Sequence, residues 1–198
     1  MTTDLQLDRR LLLGLAASLG AASVARAEAP QPDLSKPDLL KPGAPTMSSR
    51  DAFAFNTGDW IVTNRRLKIR GGGATDWDVF EGRQKSLLML DGMCSLDEQE
   101  FVGKGVKGMT FRLYSPEKDA WSIWWITNKD GVLQPPVFGR FNGPRGTFHG
   151  DDMDGDKPVK VAFDWQTADP NAPRWSQAFS YDGGRTWETN WIMEFRRP

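Results

Sequence analysis

One histidine, His149, and one cysteine, Cys94, bound the chemistry open to this chain of 198 residues. Three-histidine metal sites and Cys/His zinc clusters need more ligands of both kinds, so no metal and no cofactor are expected. A Ser-His-Asp relay would have to use His149, and the Gly-x-Ser-x-Gly elbow that presents a nucleophilic serine is absent. His149 can titrate near neutral pH, either as an acid-base group or as an ordinary strand histidine. Cys94 lies among apolar neighbours, the setting of a small buried hydrophobe, and a lone cysteine forms no disulfide within its own chain.

Two further groups of residues could carry chemistry. Asp151, Asp152, Asp154 and Asp156 cluster as calcium ligands do, but an EF-hand loop starting at Asp152 would place Lys157 at its sixth position and Phe163 at its twelfth, where glycine and glutamate belong. The cluster is therefore expected to be a solvated acidic turn, with Asp151 or Asp152 pairing with an arginine. The second group is more informative: Arg66, Glu81, Arg112, Arg140, Gln177 and Asn190 interrupt otherwise apolar runs. Facing inward among Trp77, Trp124, Trp125, Trp165 and Trp191, such groups would fix the polar end of an apolar ligand. Otherwise each would face solvent or belong to a buried structural pair.

The elements that position these residues are strands. Between Asp51 and Pro198, short runs alternate with a period of two and are bounded by Gly, Pro, Asn and Asp. Candidate strands are 60–67, 76–85, 87–93, 97–102, 109–114, 121–127, 137–141, 146–150, 159–166, 174–181 and 186–196. In Val159 to Gln166, Val159, Val161, Phe163 and Trp165 share one face, opposite Lys160, Ala162, Asp164 and Gln166. Asp130-Gly131 and Asp182-Gly183 supply tight turns. Short turns make sequence neighbours pair, and an antiparallel up-and-down meander of about ten strands removes its raw edges by closing into a barrel.

Gly58-Asp59-Trp60, at the start of the first strand, resembles the Gly-x-Trp opening of calycin-type barrels, the lipocalins and fatty-acid-binding proteins. The resemblance implies that Trp60 closes one end of the barrel under an arginine from the last strand, a cation–π contact. It assigns this closure to Gly58, Trp60 and Arg196, with Arg197 as the neighbouring alternative. Together with Phe111-Arg112-Leu113-Tyr114-Ser115-Pro116, Trp121 and Asp182-Gly183-Gly184-Arg185-Thr186-Trp187, the pattern is similar to a bacterial family catalogued as domain of unknown function 1579. That similarity implies a lipocalin-like barrel and no particular activity. Ser180 to Trp187 also fits the Asp-box of sialidase-type propellers, but a propeller repeats the motif over several blades and one copy is present.

The N-terminus carries an address rather than fold. Arg9-Arg10 precedes an uncharged Ala/Leu/Gly run, Leu11 to Val24, which is shorter than the about 20 residues of a membrane-spanning helix. Ala25-Arg26-Ala27 then reads as a signal-peptidase site, with cleavage marked by Ala25 and Ala27. The twin arginines resemble a twin-arginine export signal, which places the mature protein in the periplasm or otherwise outside the cytoplasm. Residues 1–27 are thus a signal peptide, 28–50 a proline-rich flexible linker, and 51–198 the barrel domain with all nine tryptophans. Removing the signal leaves 22 basic and 24 acidic residues, no field for nucleic acid or anionic lipid.

The leading expectation is an exported barrel that binds a small apolar or aromatic molecule in its lumen. The alternatives are an isomerase, cyclase or hydratase using His149, Glu81 and an arginine inside the lumen, and a non-catalytic module that binds envelope glycans or another protein through exposed tryptophans.

Overall fold

The computed structural model describes residues 49–198. The signal segment with Ala25 and Ala27, and residues 28–48 of the expected linker, lie outside the described residues. Ser49 and Arg50, the last two linker positions, instead belong to a short 3₁₀ turn, Ser49–Asp51. Its Ser49 carbonyl accepts a 2.6 Å hydrogen bond from the Trp121 indole, so ordered structure begins slightly before the expected boundary.

Ten antiparallel strands follow in chain order: β1 (Gly58–Leu67), β2 (Trp77–Met89), β3 (Cys94–Phe101), β4 (Val106–Ser115), β5 (Ala120–Thr127), β6 (Val137–Asn142), β7 (Arg145–Asp154), β8 (Lys157–Gln166), β9 (Arg174–Ser180) and β10 (Glu188–Arg196). Each pairs with its sequence neighbour, and β1 pairs with β10 to close the barrel. The all-β up-and-down barrel read from turn spacing is the fold observed. The expected strands 76–85 and 87–93 are one: Ser86 between them is 1% exposed and accepts a hydrogen bond from Gln84, so nothing there breaks the strand. The turn comes later, where Asp91 and Gly92 take positive φ.

Strand alternation divides the side chains between lumen and solvent, and the lumen has two unlike walls. β2, β3 and β4 turn Gln84, Ser86, Ser95, Asp97, Gln99 and Arg112 inward, all 5% exposed or less. β5 and β7 to β10 turn Trp121, Ile123, Phe148, Val161, Trp165, Trp175, Phe179, Trp191 and Phe195 inward. Burial of each such apolar side chain contributes about 1.5–3 kcal/mol, so the aromatic wall is where most of the fold's driving force lies.

The seam between β5 and β6 is short. Only Trp121, Ile123 and Ser122 find partners on β6, and beyond them the chain crosses by residues 128–136, held by a 2.8 Å bond from Gln134 N–H to the Trp125 carbonyl. This gap lies at the end of the barrel that stays open.

Candidate binding cavity in the lumen

The closed end is built from β1, the C-terminus and the turns before β1. Trp60 is 2% exposed and donates its indole N–H to the Asn56 carbonyl at 2.7 Å. The guanidinium above its ring, 3.5 Å from the centroid, belongs to Arg197. Arg196, the residue assigned to closure, is exposed, because alternation along β10 gives Phe195 the inward position and turns Arg196 out. Gly58 has φ 100°, and a Cβ there would stand 3.1 Å from an Arg197 nitrogen, so this position needs glycine for backbone and for space.

Phe53, just inside the floor, packs against Trp121, Phe141, Phe148 and Trp165. Beside it runs a polar network: Arg112 pairs with Asp97 and donates to Ser95, Asn56 donates weakly to Asp97, Gln84 donates to Asn56, and Gln99 donates to Gln84. The Arg112 guanidinium also lies 4.9 Å from the Phe53 ring centre. Buried charge is tolerable here because it is paired and hydrogen-bonded.

Above this floor lies an inner cavity of about 80 Å³, walled by Ile123, Trp125, Val137, Val161, Phe163, Trp165, Trp175, Trp191 and Met193, with Thr110, Arg112, Gln134, Asp152 and Gln177 as its polar edge. Its outer neighbour is a mouth of about 460 Å³ edged by Arg66, Arg70, Asp78, Lys104, Lys129, Asp130, Asp152 and Asp154. Trp125, Gln134, Asp152, Gln177 and Trp191 line both. Trp125 reaches its place because Gly108 on β4 faces it; any Cβ there would collide with the indole.

Electrostatics differ between the chambers. In the mouth, Arg70 pairs with Asp154, which also accepts from the Tyr181 hydroxyl at 2.7 Å; burial, then this bond, drives the Tyr181 pKa up. Lys104 pairs with Asp78 at 2.8 Å. Asp152 borders the aromatic chamber, and burial raises its pKa despite a 2.8 Å bond from the Met153 N–H. Among the described residues no cluster of potential metal ligands forms.

The barrel brings some of the expected site residues together and scatters the rest. Arg66, Arg112 and Gln177 face the two chambers, and Asn190 stands behind Gln177, accepting its amide N–H at 2.8 Å. Trp125, Trp165 and Trp191 line the lumen as expected. Trp77, Glu81, Trp124, Arg140 and His149 do not: the phase of their strands points them outward. Glu81 meets Arg83 on the outer surface, Arg140 meets Asp119, Trp124 stacks near Phe111, and His149 lies against Trp187. Burial lowers the His149 pKa. His149 and Glu81 therefore cannot meet inside the lumen, and the expected acid-base site that joins them there does not form. Exposed tryptophan is also scarce: Trp187, 42% exposed, is the one tryptophan among the exposed large hydrophobics.

The acidic turn is corrected as well. β7 continues past Gly150 to Asp154, so Asp152 and Asp154 share the inward phase of Phe148, while Asp151 faces out to Lys160. Asp152, Trp175 and Gln134 are among the cavity residues that the sequence did not point to. Extending the Phe148 phase by two more pairs would have found Asp152. The Asp-box residues do form their expected local turn, with Asp182 accepting from Thr186 N–H, Thr186 O–H, Ser180 O–H and Arg185 N–H; these bonds, those from Thr186 first, hold its carboxyl well below the usual range.

No known protein-family profile matches the chain, and no curated protein does. Among solved structures, the barrel is similar to that of the S-type phycobiliprotein lyase CPES from Guillardia theta, at 12% identity and a TM-score of 0.51, over 77% of this chain and 93% of that one. At this identity the likeness is one of fold. It supports the closed β-barrel, and no family model supports the similarity to family 1579.

Proposed function

We propose that this protein binds a small apolar or aromatic molecule in the barrel lumen, with the apolar part in the inner cavity and the polar end in the mouth. The observation that carries this reading is continuity: five residues, two of them tryptophans, line both chambers. Ligand pockets usually measure about 300–1,000 Å³. The inner cavity, at about 80 Å³, is too small for more than one ring or a short chain, so a ligand must extend into the mouth. A calycin-type barrel with an open end and an aromatic wall suits such a guest, and the similar barrel described as a lyase of phycobiliproteins is in keeping with it.

The test is a titration with the neutral fluorophore N-phenyl-1-naphthylamine. Quenching of tryptophan emission together with a rise in probe emission is expected. Val161, which lines only the inner cavity, should be replaceable by Phe at a cost of about 1–3 kcal/mol in stability, with about tenfold weaker binding because the added ring occupies the cavity. A wild-type spectrum unchanged up to the probe's solubility would remove the reading.

We also propose that the protein works outside the cytoplasm, on the strength of Arg9-Arg10, the short apolar run and Ala25-Arg26-Ala27. Fractionation and N-terminal sequencing should find a mature chain starting near Glu28 in the periplasm. A full-length chain confined to the cytoplasm would overturn this.

A further inference from the structure

Among the described residues, Arg66 and Arg196 are arginines that no hydrogen bond or ion pair engages. Arg196 is exposed and water satisfies it. Arg66 is half-buried in the mouth, its guanidinium 4.8 Å from the centre of the Trp191 ring. The carboxylates nearest in charge, Asp154 and Asp78, are already taken by Arg70 and Lys104. Burial, and then repulsion from Arg70, hold the Arg66 pKa below its usual value. A half-buried cation without a partner is costly to keep, and the planar guanidinium fork is shaped for a two-pronged oxyanion.

Trp191 gives this cation a place relative to the cavity. The indole borders both chambers and carries Arg66 over one of its faces. We propose that Arg66 is the head-group site of the lumen, and that the ligand is an amphiphile: an apolar or aromatic body ending in an oxyanion such as a carboxylate or sulfonate. The body occupies the aromatic chamber and the oxyanion meets Arg66 at the mouth. This rests on the lumen-binding reading above.

Two fluorophores separate the claims: 1-anilinonaphthalene-8-sulfonate and N-phenyl-1-naphthylamine share a body, and only the first carries an oxyanion. With the full-length chain, the sulfonate is expected to bind more tightly than the neutral probe. Arg66→Gln should weaken the sulfonate about ten- to hundredfold and leave the neutral probe within about twofold. Arg66→Lys should recover part of the loss, since it restores charge without the fork. Arg196→Gln, at the opposite end of the barrel, should change neither. If Arg66→Gln weakens both probes alike, or neither, while the neutral probe still binds wild type, the head-group assignment falls and the lumen-binding reading stands. If neither probe binds wild type, both fall.

Discussion

The barrel holds an arginine on a tryptophan at each end, and the two stacks are not alike. At the floor, Arg197 lies 3.5 Å from the Trp60 ring centre and donates to the carbonyls of Thr57, Phe55 and Asp59. At the mouth, Arg66 lies 4.8 Å from the Trp191 ring centre and donates to no described residue. Stacking is common to both, so it cannot tell structure from function. The fate of the remaining donors does: the floor arginine spends its N–H groups on backbone carbonyls, and the mouth arginine keeps them.

The largest expected effects test the floor as a closed assembly whose buried charges are paired. Asp97→Leu leaves Arg112 charged, buried and unpaired, and should cost about 3–5 kcal/mol in denaturant unfolding. The double variant Asp97→Leu with Arg112→Met should recover most of that loss, because removing both partners of a buried pair is often neutral. A double variant as unstable as the single one would mean that the network, rather than the charge, holds the floor.

Arg197→Ala against Arg66→Ala is the direct contrast. Loss of the floor stack and its hydrogen bonds should destabilise by about 1–2 kcal/mol. Arg66→Ala should stay within about 0.5 kcal/mol of wild type or gain stability, since it removes an unpartnered cation. Equal losses in thermal or chemical unfolding at both ends would erase the distinction.

These contrasts show what the sequence could disclose. Period-two runs and Gly/Asp turns are local, so the barrel, its strand count and the Gly58/Trp60 opening were legible. Facing was legible where one side of a strand is plainly apolar, as in Val159 to Trp165, and illegible where both sides are, as in Trp121 to Ile126; there Trp124 points out and Trp125 in. Polar residues misled for the same reason. Arg66 and Glu81 read alike as charges in apolar strands, and only the register across β1 and β2, Arg66 opposite Asp78 and Thr63 opposite Glu81, assigns one to the mouth and the other to solvent. Arg196 and Arg197 stay alternatives for closure in the sequence because the phase of β10 is not plain there; once Phe195 faces inward, alternation turns Arg196 out and gives Arg197 the side of Trp60.

The smallest expected effect concerns Asp152, a mouth carboxylate that borders the aromatic chamber. Burial raises the pKa of Asp152 above 3.8, with Arg70 opposing the shift and Asp154 adding to it. A folded-state pKa above the unfolded value means that the native protein holds its proton longer, so stability falls as pH rises through that folded pKa and the penalty vanishes below 3.8. Asp152→Asn keeps the oxygen that accepts the Met153 N–H and removes the charge. The variant should therefore be slightly more stable than wild type at neutral pH, and the two unfolding free energies should converge as acid brings the pH below 3.8. A variant less stable than wild type at neutral pH would mean that the carboxylate is held by a favourable partner, and the mouth would then resemble the floor in having its charges satisfied.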